Sequence, residues 1–430
     1  MNSFVINNCL VYINKKFVKK SFYVQNGILK QIQNKPIIKK NVGIIDCKGL
    51  IAIPGLIDIH THLRQPGFEY KETIKTGTQA AAAGGYTTIC SMPNLNPPTD
   101  SVKNIKSLIS MIKKDALINV YPYASITKGR KEDTQIVDMK QLSKYCFAFS
   151  NDGCGIKTAQ EMKKAMIEAK KNKKAIVAHA EDLTLIPKGA SVHDGVNVKK
   201  YKLIGIPSSS EYKQVKRDVK LAIETKCQYH VCHVSTKETI DIIKKAKKLN
   251  KNISCEVTHH HILLNENNVV KNAGKFKMNP PLRSKQDQQA LIKGLKTGII
   301  QIIATDHAPH AAKEKNTTID KAAFGITALD YAFPLLYTKL VKTKIITLNK
   351  LIDLMSINPS KLFNLPSNEL KINNLVNLLI FDPLKKQKID SKKFFSKGKS
   401  TPFEGIDCVG WPEITICNGK IVYKNRRIYG

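Results

Sequence analysis

The chain has no apolar run of the roughly 18 residues that a bilayer-spanning helix needs. No basic-then-apolar leader follows Met1, so the expectation is a cytoplasmic protein without a membrane partner. No CxxC pair occurs among its ten cysteines. They sit singly in apolar surroundings, as in Ile89-Cys90-Ser91 and Ser254-Cys255-Glu256, and read as reduced core thiols, which excludes a disulfide frame or a cysteine-based zinc cluster. Acidic residues are scarce: 34 Asp and Glu against 70 Lys and Arg leave a formal charge of +36. Such an excess invites phosphate neutralisation on a nucleic acid. The lysines are dispersed, however, in runs such as Lys170-Lys171-Asn172-Lys173-Lys174, and no basic stripe is interleaved with aromatics. Abundant Lys, Ile and Asn together are what an AT-rich coding sequence produces, so the charge reads as solvated helix faces and nucleic acid is not the expected partner.

What is present is alternation. At 430 residues and 42% hydrophobic content, the chain can bury a large core and exceeds the usual size of one domain. Short β-branched runs cover Leu56 to Thr61, Tyr86 to Met92, Leu117 to Ile126, Tyr145 to Ser150, Ala175 to His179, Tyr229 to Val234, Ile253 to Thr258 and Ile299 to Thr305. Between them lie lysine-rich segments of helical character: Glu72 to Ala83, Val102 to Lys114, Ala159 to Lys171, Lys213 to Thr225, Lys237 to Leu249 and Ser284 to Thr297. Eight strands alternating with helices predict an α/β fold, a closed (β/α)8 TIM-like barrel with its functional groups at the C-terminal strand ends. Both chain ends have β character and turn-rich spacing, so residues 1–52 plus 366–430 are expected to form one small β-sandwich domain beside a barrel of residues 53–365. Lys385 to Lys399 is polar enough to be mobile.

The first strand ends in His60-Thr61-His62-Leu63-Arg64. Residues i and i+2 of a strand share a face, so both imidazoles can reach one metal ion, and Arg64 adds a fixed charge suited to an anionic substrate. A lone HxH is common by chance, but the chain has only 11 histidines, and His179, His233, His307 and His310 recur at or just past strand ends. His230 lies three residues before His233, on the opposite strand face, and reads as packing. Three consecutive histidines, His259 to His261, cannot converge on one ion from a strand and read as supporting or structural groups. His193 reads as a surface residue.

Four blocks in order, Pro54 to Gly67, Gly84-Gly85-Tyr86-Thr87-Thr88 with Met92-Pro93-Asn94, Phe276 to Arg283, and Ala304-Thr305-Asp306-His307-Ala308-Pro309-His310, resemble the bacterial class I dihydroorotases of the amidohydrolase superfamily. That resemblance implies a zinc-dependent cyclic amidohydrolase that interconverts N-carbamoyl-L-aspartate and (S)-dihydroorotate in pyrimidine biosynthesis. It also implies two Zn²⁺ per chain, one held by His60, His62 and Asp306 and the other by His179 and His233. Many relatives bridge the ions with a carboxylated lysine, but Phe149-Ser150-Asn151-Asp152-Gly153 resembles the branch that uses an aspartate, so Asp152 with a shared hydroxide is the expected bridge. Asp306 is the implied general acid and base.

By the same resemblance, Arg64, Asn94, Asn279 and His310 contact the substrate, with the backbone at Phe324 and Gly325 against its ring. On local sequence alone Asn94 and Asn279 also read as turn residues beside prolines, and Arg64 as a surface residue. Arg64 discriminates best, because hydantoinase- and allantoinase-like relatives share the histidines but lack an arginine here. Those cyclic amidases, and an inactive scaffold for aspartate carbamoyltransferase, are the alternative readings; filled ligand positions disfavour the scaffold. A homodimer and association with that carbamoyltransferase are the partner expectations beyond the small-molecule substrate. Gln65 and His259 depart from the family pattern, which has Glu and Pro there. The Ala-rich stretch from Asp306 to Lys315 reads as a lid that carries His310.

Overall fold

The computed structural model describes residues 3–429. Parallel strands Leu56–Thr61, Tyr86–Ser91, Asn119–Pro122, Ile176–Ala178, Tyr229–Val231, Ile253–Thr258 and Ile302–Ala304 form two hydrogen-bonded arcs. The gap between the third and the fifth place, where a strand from Tyr145 to Ser150 is expected, is filled by residues 147–150: Phe149 bridges Ala124 and Ile176, and Phe147 N and Ser150 N donate to the Pro122 and Ala124 carbonyls. Beyond Ser150 the Asn151 side chain takes over, its Oδ1 accepting from Ile126 N at 2.9 Å and Thr127 N at 3.2 Å. On the other side a parallel bridge between Thr61 and His307 closes the circle.

The expected helices form on the outside. Thr73, Ser101, Thr158, Thr236 and Ser284 cap five of them, each side chain accepting from a backbone N–H of the first turn. In the helix Val102–Asp115 the buried positions are Ile105, Leu108 and Ile112, one stripe at helical spacing, while Lys103, Lys106, Lys113 and Lys114 face solvent.

The two chain ends form one continuous nine-stranded sheet. Ile51–Pro54 lies at its centre, parallel to Phe4–Ile13 and antiparallel to Leu378–Lys388. Alternation splits its side chains between two cores. Leu378 and Ile380 join Phe4, Ile6, Phe22 and Ile414 inside the small domain, whereas Leu379 and Phe381 join the barrel's outer core with Phe333 and Tyr337. The central strand runs through Gly55 directly into the first barrel strand, and the Gly55 carbonyl accepts from Ser356 Oγ and Asn368 Nδ2, both at 2.8 Å. The junction is therefore fixed from two sides.

The polar segment expected to be mobile is tied down. Leu378–Lys388 is strand, Ser396 is fully buried, and Ser396 Oγ donates to the buried carboxylate of Glu72. A buried acceptor on the barrel outweighs the polarity of the local sequence.

Phe381, edge-on to Phe333 and Tyr337 with ring centroids 5.1 and 5.3 Å apart, is fully buried at the seam between sheet and barrel. Phe381→Ala is expected to lower unfolding stability by about 3–5 kcal/mol in chemical denaturation. A loss under about 1 kcal/mol would mean that the seam is not closely packed.

Candidate active site

The groups expected to converge do so at the C-terminal mouth of the barrel. His60 ends the first strand, and its backbone N–H donates to Asp58 Oδ1 at 3.0 Å. The same carboxylate accepts from Thr305 N at 3.2 Å and Thr305 Oγ1 at 2.5 Å, and His62 N donates to the His307 carbonyl at 2.9 Å. These bonds clamp the first strand to the eighth and place Asp306 beside the histidine pair. Arg64, His233 and Asp306 have φ of 61°, 28° and 48°. Side-chain-bearing residues seldom adopt this left-handed region, and such strain concentrates where function needs a particular aim.

Asp152 stands at the centre. Its Oδ1 lies 3.2 Å from His60 Nε2, 3.7 Å from His179 Nδ1 and 3.7 Å from His233 Nε2, and its Oδ2 lies 3.5 Å from His62 Nε2. Asp306 Oδ1 is 3.0 Å from His62 Nε2 and 3.5 Å from His60 Nε2, and His179 Nδ1 is 3.0 Å from His233 Nε2. All six side chains expected as metal ligands thus share one buried cluster, and His60, His62, Asp306 and His60, Asp152, His233 are compact enough for each trio to hold an ion. The fit is chemical as well as geometric. His60 Nε2 and Asp152 Oδ1 are buried with no hydrogen bond, and a set of imidazole and carboxylate donors suits a divalent ion such as zinc.

Electrostatics point the same way. Burial pulls the His60 pKa down, but Asp152 and Glu256 outweigh it and hold the imidazole well above its ordinary value. Burial likewise opposes the protonation of His179, and Glu181 with Asp152 overcomes it. Asp152 is held well below the usual carboxylate range despite burial, by His60, His233 and His62. Asp306 is also lowered, again against burial, by His62 and His60. The pocket stabilises positive charge among fixed anions.

Two carboxylates in this arrangement escaped the sequence reading. Glu256 Oε1 is 2.6 Å from His60 Nδ1, while its Oε2 is 3.2 Å from His230 Nε2. Glu181 Oε2 is 3.1 Å from His179 Nε2 and accepts from Asn279 Nδ2 at 3.0 Å. Each fixes the ring nitrogen that faces away from the cluster centre. The available signals were a carboxylate inside the apolar run Ser254 to Val257, and for Glu181 the same i, i+2 spacing that singled out His60 and His62.

The substrate-side groups are placed less uniformly. Arg64 and His310 meet, Nη2 to Nε2 at 3.3 Å, and Arg64 Nε donates to the Pro309 carbonyl at 3.2 Å; both residues are buried, so Arg64 is not a surface residue. His310 Nε2 is 2.8 Å from the Phe324 carbonyl. Asn94 Oδ1 is 2.8 Å from His62 Nδ1, so this residue orients a cluster histidine. Gly325 N already donates to the Lys277 carbonyl at 3.0 Å.

The remaining histidines lie outside the cluster. His230 is buried against Ser254 Oγ at 2.7 Å and Glu256. His259 to His261 occupy a short buried helix, His259–Leu263, where His261 Nε2 is 2.9 Å from the Pro280 carbonyl. His193 is half-buried against Arg283, Nδ1 to Nη1 at 3.2 Å, and not a free surface group.

The shifts predict a pH response of the metal-free chain. A histidine whose folded pKa is raised contributes stability below its unfolded value, near 6.5, and that contribution disappears as pH rises through the folded value. His60 and His179 are of this kind. Asp58, pushed up to about 7 chiefly by burial, changes stability in the same direction up to that pH. Histidines with lowered values are neutral in both states above about 6.5 and contribute no slope there, while Lys315, pushed down to about 7 chiefly by burial, opposes the fall above that pH as one group against the two raised histidines. After chelation, the unfolding midpoint should therefore fall as pH rises above about 6.5, and added zinc should flatten the dependence. A midpoint that rises over this range would contradict the charge arrangement.

Comparison with known proteins follows the same line. A family model described as "Dihydro-orotase-like" matches residues 49–239. A dihydroorotase of Listeria monocytogenes serotype 4b is 48% identical over 410 residues, covering 95% of this chain and 96% of the relative. One from Bacillus cytotoxicus is 46% identical over 417 residues, with 96% of each covered. Among solved structures, L-hydantoinase from Arthrobacter aurescens superposes with a TM-score of 0.88 at 22% identity, covering 100% of this chain and 98% of that one. A dihydropyrimidinase from Brevibacillus agri gives 0.86 at 21%, covering 100% and 96%. At such identity these two speak for the fold alone, a barrel with a sheet from both chain ends. The near full-length relatives decide the family: the chain belongs to the dihydroorotases, a family of cyclic-amide hydrolases.

Proposed function

We propose that the chain interconverts N-carbamoyl-L-aspartate and (S)-dihydroorotate in pyrimidine biosynthesis, with residues 53–365 as the catalytic barrel and residues 1–52 and 366–430 as its supporting domain. The observation that carries this reading is the buried Arg64–His310 pair beside the Asp152–Asp306 histidine cluster. A fixed guanidinium withheld from solvent and without a carboxylate partner among the described residues suits the carboxylate of the substrate.

His60, His62 and Asp306 would hold one zinc, His179 and His233 the other, with Asp152 between them. Bound there, the pair supplies an acidified water and a Lewis acid for the amide carbonyl. The chain's own groups do the rest. Arg64 and His310 bind the ring carboxylate and fix which ring face meets the cluster. Asp306 takes the proton of the attacking water and delivers it to the ring nitrogen as the C–N bond breaks. In the reverse direction it removes the proton from the ureido nitrogen as the ring closes and passes it to the carboxyl oxygen that departs as water. Glu256 and Glu181 hold the imidazoles of His60 and His179 in their ligating orientation. A cytoplasmic homodimer able to associate with aspartate carbamoyltransferase is the assembly that the family resemblance implies. Among the described residues no helix is long and apolar enough to cross a membrane.

Zinc-loaded protein should turn over dihydroorotate in both directions, and Asp306→Asn should lower kcat by about a thousandfold. Arg64→Met should raise KM for dihydroorotate by about 10–100-fold, the effect of losing charge-assisted hydrogen bonds to a carboxylate. Turnover of hydantoin or allantoin with none of dihydroorotate would overturn the substrate assignment. In a chelator competition, Glu256→Gln should weaken zinc binding by about 10–100-fold; unchanged affinity would exclude Glu256 as the support of His60.

A further inference from the structure

Two dipeptides of the sequence, Lys71-Glu72 and Glu314-Lys315, take no part in the proposed reaction, yet three of the four side chains are largely buried around the substrate corner. Lys71 and Glu314 both reach His310, and Lys71 is the nearer. Its Nζ lies 3.2 Å from His310 Nδ1 and is held by Glu314 Oε1 at 2.8 Å, with the Phe68 and Tyr70 rings alongside. Glu314 is itself fixed, its Oε2 accepting from Ala311 N at 2.9 Å. The ammonium is therefore anchored, not a swinging surface group.

An ammonium has only donors, so His310 Nδ1 must be the acceptor. On the other side of the ring, Nε2 lies 2.8 Å from the Phe324 carbonyl, which has only lone pairs, so Nε2 carries the proton. Two independent contacts select the same tautomer. Arg64 Nη2, at 3.3 Å from Nε2, is a second donor and cannot bond to it. The one Nε2–H is turned to the Phe324 carbonyl, and an anionic acceptor entering beside Arg64 Nη2 takes that proton over from the carbonyl while accepting from the guanidinium.

We propose that Lys71 is a positioning residue that sets His310 as an Nε2–H donor, so that His310 and Arg64 present two hydrogen-bond donors to the substrate carboxylate. This rests on the dihydroorotase reading for the identity of the anion, but not for the tautomer. The charged groups facing His310 agree with a neutral ring: burial first, then Arg64, Lys71 and Lys315, push it down to about 3, against the carboxylate of Glu314. Without the ammonium, that carboxylate, whose Oε2 is 3.5 Å from Nδ1, would draw the proton to the wrong nitrogen.

The test combines kinetics with the tautomer itself. In zinc-loaded Lys71→Met at about pH 8, KM for dihydroorotate should rise about tenfold, the size of one charge-assisted hydrogen bond, while kcat stays within about twofold. Isotope-labelled His310 nitrogens, assigned with His310→Asn, should report Nε2–H in the wild type and a shift toward Nδ1–H in Lys71→Met. Lys71→Arg, also a pure donor, should retain the wild-type tautomer. An Nδ1–H wild type, an unchanged tautomer in Lys71→Met, or a loss confined to kcat would each overturn the proposal. If the wild-type protein fails to process dihydroorotate, the substrate assignment fails, and the nitrogen signals still decide what Lys71 does to His310.

Discussion

The closure of the barrel between its first and eighth strands is the constraint on which the site depends. It is made by a carboxylate. Asp58 is fully buried and gathers Thr305 N, Thr305 Oγ1 and His60 N onto one side chain. Backbone ladders alone would align the strands but leave the ends free to fray. The carboxylate fixes the last residue before Asp306 against the residue that carries His60, so the two halves of the cluster, 246 positions apart in sequence, meet within 3.5 Å. Cost and purpose are visible together: burial pushes Asp58 up to about 7, against the hydrogen bonds that lower it.

From that closure the charge arrangement follows. Asp152, Asp306, Glu256 and Glu181 crowd four imidazoles in a water-poor mouth. Unpaired buried charge is strongly unfavourable, so such a set must hold protons or metal cations. The carboxylates divide into two kinds. Asp152 and Asp306 face the nitrogens that point inward, whereas Glu256 and Glu181 hold the outward nitrogens of His60 and His179. The second kind sets ring orientation and tautomer before any ion arrives, which is how a site becomes selective for geometry as well as for charge.

This division also explains what the sequence could disclose. The barrel was legible because its strands are apolar runs of the right length at regular intervals, and the inward ligands because they stand at the ends of those runs. The stretch from Tyr145 to Ser150 has the composition of a strand and bonds to both neighbours through residues 147–150, but the pairing is short, and beyond Ser150 the Asn151 side chain, not the backbone, meets Ile126 N and Thr127 N. Glu256 could not be paired with His60 by spacing, because 196 residues separate them and nothing local distinguishes its carboxylate. Asn94 and Asn279 were legible as polar turn residues near the site, but the histidine and carboxylate that they bond are set by packing of distant loops.

The same logic extends to the chain ends, whose contribution exceeds the stability of a second core. Glu72, at the start of the first barrel helix, accepts from Ser396 Oγ and from Lys397 N, and its Oε2 lies 3.4 Å from His307 Nε2. His307 Nδ1 accepts from Ala328 N and Leu329 N, so the proton is on Nε2 and points at Glu72. The chain therefore passes from Asp306 to a histidine held by a carboxylate, which in turn is held by the C-terminal segment. Gly398 lies against Pro309 so closely that a Cβ there would meet the proline Cβ at 2.5 Å, and the Pro309 carbonyl is the one that receives Arg64. A strap from the far end of the sequence thus backs both the proposed proton carrier and the proposed carboxylate corner, which gives a physical reason for joining a β domain built from both termini to a barrel whose chemistry lies wholly between them.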